Sequence, residues 1–68
     1  KKLNTMFTLS HTKIFVIALV KRVLDRYAIP YHMYDTIDGC AIHNVEYSGD
    51  GPEEAYDELE DLAIKYNM

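Results

Sequence analysis

YHMYDTIDGCAIHNVEYS, residues 31–48, is the stretch whose reading decides the fold of this chain. Two strand-like runs, YHMYDT and CAIHNVEYS, flank Ile37-Asp38-Gly39. An Asp-Gly pair between such runs is a strong hairpin signal, because both residue types tolerate the positive φ that tight turns require. The loop length then sets which side chains share a face. A two-residue loop puts Tyr31, Met33, Asp35 and Ile37 with Cys40, Ile42, Asn44 and Glu46, which mixes the faces. A three-residue loop with Gly39 left-handed pairs Thr36 with Cys40. It gathers Tyr31, Met33, Ala41, His43, Val45 and Tyr47 on one face, and His32, Tyr34, Thr36, Ile42, Asn44 and Glu46 on the other. The second arrangement gives the cleaner core face and is the expected register, with Tyr34 opposite Ile42 on the outer side.

Upstream, residues 11–28 carry Val16, Val20, Val23, Leu24 and Tyr27 at three- and four-residue steps, with Ile17 and Leu19 widening the stripe. This is the pattern of an amphipathic helix. Ser10 is the expected N-cap, with Thr12 as competitor, and Pro30 closes the segment. Before it, KLNTMFTLS alternates weakly, with Leu3, Thr5, Phe7 and Leu9 on one side, and reads as a short strand. Downstream, SGDGPEE reads as a helix start: Asp50 or Gly51 caps, Pro52 takes the first helical position, and Glu53 and Glu54 meet the positive end of the helix dipole. Ala55, Leu59, Leu62, Ala63 and Tyr66 then form an apolar stripe. The expected fold is a small α+β domain in the order β-α-β-β-α, with two helices packed on one face of a short antiparallel sheet.

A chain of 68 residues makes one domain. Residues 6–68 are expected to form it, with residues 1–5 as a remnant or flexible start ahead of Met6. A domain this small buries only about 60% of its unfolded surface, so disulfides, metals or oligomerisation usually support it. The single cysteine, Cys40, excludes an internal disulfide. It fits a reducing, cytoplasmic compartment. The longest apolar run, IFVIALV at residues 14–20, is too short to span a bilayer. Oligomerisation or partner binding therefore becomes the expected support.

Signs of catalysis are weak. Cys40 and His43 have the spacing of half a zinc site, but an odd separation on a strand sends them to opposite faces, and no second ligand pair follows. Asp38 beside Cys40 disfavours a thiolate. Asp35 and Asp38 lie where hairpins collect Asp for turn reasons. No phosphate-binding glycine loop, dinucleotide fingerprint or nucleophile elbow is present. The reading is of a non-enzyme with no cofactor and no metal.

Charge is the informative feature. Residues 1–29 hold six Lys or Arg and one acid, net +5, and residues 30–68 hold ten acids and one Lys, net −9. PEEAYDELED, residues 52–61, has six carboxylates and no cation. Glu54, Asp57, Glu58 and Asp61 repeat at helical spacing, where like charges cost a few tenths of a kcal/mol per pair. Two accounts compete. Either the basic side of the first helix simply offsets the acidic side of the second, or Glu54, Asp57, Glu58 and Asp61 form a surface for a basic, nucleic-acid-binding protein partner. The second makes the chain a protein-binding module, of the inhibitor or regulator kind. Its size, acidity and tyrosine content are those of many small inhibitor and adaptor proteins, phage-encoded ones included. The alternative is a nucleic-acid binder using Lys13, Lys21, Arg22 and Arg26, which a net charge of −4 opposes. Ile14, Phe15 and Ala18 fall on the polar side of the first helix and, with Tyr34 and Ile42, form a candidate interface, including one for a homodimer.

Overall fold

The computed structural model describes residues 5–68. The first residues of the expected strand, 2–4, and most of the leading segment lie outside them. Five elements follow in the expected order: β1 (Met6–His11), α1 (Ile14–Arg26), β2 (Tyr31–Asp38), β3 (Cys40–Ser48) and α2 (Glu53–Lys65). The sheet is antiparallel with β3 in the centre, in the order β1-β3-β2. The chain is a small α+β domain.

The hairpin faces are as expected, but the pairing is shifted by two residues. Tyr31 lies opposite Tyr47, Met33 opposite Val45, Asp35 opposite His43, and the ladder closes at Asp38 and Cys40 around Gly39, whose φ is +80°. Thr36 therefore meets Ile42 rather than Cys40, and Tyr34 meets Asn44 rather than Ile42. An even shift preserves the alternation of faces, so the helix-facing set survives. Val45 and Tyr47 are buried, and Tyr31 and Met33 pack at the core margin.

Two cap expectations give way. Ser10 belongs to β1, where its hydroxyl donates to Asn44 Oδ1 across the β1–β3 pair. The helix begins later, at Ile14, behind Lys13, whose backbone N–H donates to His11 Nδ1 at 3.0 Å. Pro52 is itself the N-cap of α2, with extended backbone and no side-chain cap. The preceding loop is held by Tyr56, whose hydroxyl donates to Ser48 O and accepts from Gly51 N–H at 2.7 Å. Both helices end in Schellman turns. After α1, Ile29 N–H bonds Leu24 O and Ala28 N–H bonds Asp25 O, with Ala28 at φ 56°. After α2, Met68 N–H bonds Ala63 O, with Asn67 at φ 58°.

Val16, Ile17, Val20 and Leu24 of α1 are fully buried, and Val45 of β3 and Ala55 and Leu59 of α2 complete the core. Full burial of such side chains contributes about 1.5–3 kcal/mol each, which offsets the weak helix propensity of the β-branched residues. The other sheet face carries no helix. Asn44 is buried there and satisfied: its amide donates to Tyr34 O (3.1 Å), Thr36 Oγ1 (3.2 Å) and Ile42 O (3.3 Å) while its carbonyl accepts from Ser10. One side chain thus ties all three strands together.

Candidate functional site

Burial of Ala55 and Leu59 fixes how α2 is rolled on the core, and Tyr56, Leu62, Ala63 and Tyr66 flank them, half-buried. Successive residues turn by 100°, so Glu53, Asp57, Glu60, Asp61 and Ile64 fall together on the solvent side, with Glu54 at the edge. None of Glu53, Glu54, Asp57, Glu60 or Asp61 makes an ion pair or a side-chain hydrogen bond with a described residue. Ile64, 74% exposed, lies at the C-terminal end of this side, three, four and seven residues after Asp61, Glu60 and Asp57.

Glu58 is different from its neighbours. One carboxylate oxygen accepts from Arg26 Nη2 at 2.7 Å, and the other accepts from the Tyr27 hydroxyl. The carboxylate therefore clips α2 to the last turn of α1. The bond to Glu58, with burial and the Glu58 charge behind it, raises the Tyr27 pKa above the usual phenol value. Of the four residues expected to meet a partner, Glu54, Asp57 and Asp61 are exposed, and Glu58 is engaged within the chain. Sequence reading also passed over Ile64, although its helical spacing from the acids was legible. The offset between basic and acidic halves is local: a cleft of about 830 Å³ between the helices is lined by Arg22, Arg26 and Lys65 together with Asp25, Glu58 and Asp61, and Arg26 pairs with Glu58 across it.

The basic residues of α1 are partly spent. Lys21 Nζ pairs with Asp25 at 2.7 Å and lies 5.9 Å from the centre of the Tyr31 ring. Their hydrogen bond raises the Lys21 pKa and lowers that of Asp25. With Arg26 held by Glu58, only Lys13 and Arg22 of that group lack a carboxylate partner among the described residues. Ile14, Phe15 and Ala18 are exposed, and Phe15 touches its own chain through an edge contact with Tyr66 at 6.1 Å. Tyr34 and Ile42 share the open sheet face without being direct partners, and Tyr34 stacks on His32.

His43 Nδ1 lies 2.9 Å from Asp35 Oδ1, an arrangement that orients an imidazole. Among the described residues no hydroxyl or thiol hydrogen-bonds the other ring nitrogen, so the pair activates no nucleophile here. Nor do the described residues bring three or more His, Cys, Asp or Glu together in a metal-holding group. Cys40 is exposed at the hairpin tip. No described helix is long and apolar enough to cross a membrane. Comparison with protein-family models, with curated proteins and with solved structures returns no match.

Proposed function

We propose that this chain is a non-enzymatic binding module that docks the outer face of α2 onto a basic surface of a protein partner. The observation that carries the reading is a set of five carboxylates without partners among the described residues, on the side of α2 that ends in one exposed isoleucine. Carboxylates alone give a solvated face. An apolar anchor flanked by charge is the arrangement of a docking site, where the anchor supplies affinity and the charges supply steering. From Glu53 to Asp61 the helix rises about 12 Å, so the exposed carboxylates come roughly one per 3 Å of axis. Duplex DNA carries about one charge per 1.7 Å, or one per 3.4 Å of each strand. A groove built for phosphates would accept this face, so a nucleic-acid-binding protein is the partner class that fits, and occupancy of its groove would make the module an inhibitor.

The test is affinity capture with the wild type and with Asp57→Asn/Glu60→Gln/Asp61→Asn, which leaves Glu58 in place. The wild type should retain a basic protein that elutes at raised salt, displace nucleic acid from it, and lose both properties in the variant. Identical capture by both proteins would reduce the run to a solvated surface. Capture abolished by nuclease would favour the nucleic-acid reading instead.

A further inference from the structure

The β1–β3 ladder ends at His11 and His43, whereas the β2–β3 ladder runs on through Thr36–Ile42, Ile37–Ala41 and Asp38–Cys40. The hairpin therefore projects as a two-stranded arm, about 10 Å beyond the three-stranded sheet. Two-stranded ribbons are marginal in water on their own. On its helix-side face the arm shows Ile37, 83% exposed, opposite Ala41. At its root His43 adjoins His11, which meets Tyr66 edge-on at 6.4 Å, and Tyr66 meets Phe15. The arm and the start of α1, where Ile14 and Phe15 are half-exposed, thus lie at the same end of the domain, and the open angle between them is the notch. Asp38 stands at the arm tip and Lys13 at the start of α1 on the notch side, both exposed and neither in an ion pair with a described residue.

We propose that the arm of one copy seats in the notch of a second copy, forming a two-fold dimer. Ile37 packs against Ile14 and Phe15 of the second copy, and Asp38 meets its Lys13. Both halves of each contact lie on the same end of one chain, which is the condition for a closed two-fold interface. The charges choose the occupant: the tip carries Asp38 and the start of α1 carries Lys13, both without a partner among the described residues, so a second copy complements the first at two equivalent places. Burial of Ile37, Ile14 and Phe15 also supplies the apolar area that a domain of this size lacks. The surface is separate from the outer face of α2, so its test is independent of the proposed function.

Sedimentation velocity from about 1 µM to about 1 mM tests the wild type first; a monomer throughout overturns the proposal. Ile37→Asp and Ile37→Thr, at an exposed site that leaves the far-UV spectrum unchanged, should each weaken dimerisation, the Asp form by more than about tenfold. Asp38→Lys and Lys13→Asp should each weaken it by about tenfold, because every dimer contains the contact twice. Mixing those two variants should restore association, since each then offers the charge the other needs. Dimers indifferent to Ile37, or a mixture no tighter than either variant alone, overturn the proposal.

Discussion

Glu58 of α2 bonds Arg26 and Tyr27 of α1 at once, so one carboxylate in an otherwise free acidic run is structural. Removing it should separate the two roles of the run. Glu58→Ala should lower the stability of the domain by about 1 kcal/mol, as expected for a partly exposed, charge-assisted pair of bonds. Asp57→Ala should change stability by less than about 0.5 kcal/mol. Urea unfolding of both variants checks this, and equal losses would show that the clip between the helices carries no stability.

Alkaline titration should unfold the protein through two tyrosines. The Tyr27 pKa is raised by its bond to Glu58, and that of Tyr47 is raised by burial. A raised phenol pKa means the folded state holds the proton more tightly, so this stability is whole below the unfolded tyrosine value of about 10 and drains away as pH climbs through the folded values. Phenolate absorbance should show Tyr27 and Tyr47 ionising late, together with loss of the circular dichroism signal. Ionisation of Tyr27 and Tyr47 at the unfolded value of about 10, with the spectrum intact, would contradict the assignment.

Ala28 and Gly39 form a matched pair of backbone tests. Ala28 occupies the left-handed position of the α1 Schellman turn. Ala28→Gly should stabilise the domain by about 1 kcal/mol through relief of the Cβ clash. Gly39 has open space where a Cβ would go, yet its φ is +80°. Gly39→Ala should therefore cost about 1 kcal/mol from conformation alone. Chemical unfolding of the two variants should give opposite signs.

Asn44 holds the open face of the sheet. Asn44→Ala removes the acceptor of Ser10 and the donor to Tyr34 O and Thr36, and should cost about 2 kcal/mol. Ser10→Ala should cost about half as much. Amide exchange should quicken in β1 before β2, because β1 pairs with β3 across a large loop whereas β2 is tied to β3 by a local hairpin.

The order of elements was legible because apolar spacing of two and of three to four residues distinguishes strand from helix without tertiary information. The hairpin register was not. Registers that differ by two residues place the same side chains on the same face, so Tyr31, Met33, Val45 and Tyr47 point inward in either. Only the cross-strand pairs separate them, such as Asp35 with His43, and these are tertiary facts. Ser10 had the chemistry of a cap, but its hydroxyl is taken by Asn44, 34 residues away. Glu58 looked like any other acid in its run until α1 placed Arg26 and Tyr27 beside it. Ile64 and Ile37 were missed for another reason: they are isolated apolar residues in polar surroundings, and a search for stripes passes over them.

The central position of β3 sets the order in which the chain becomes a domain. During synthesis β1 and α1 leave the ribosome first, yet the only strand that β1 can join consists of residues made much later. Ala55 and Leu59, which close the core, come later still. Until then the Val16, Val20 and Leu24 side of the first helix has no cover. The local β2–β3 hairpin can form early, because its contacts are close in sequence, whereas the pairing of Met6 with Ser48 must wait for a large loop to close. The nascent chain therefore carries its stickiest segment unprotected until β3, Ala55 and Leu59 are made, and that interval, more than the finished structure, is where aggregation or chaperone capture would act.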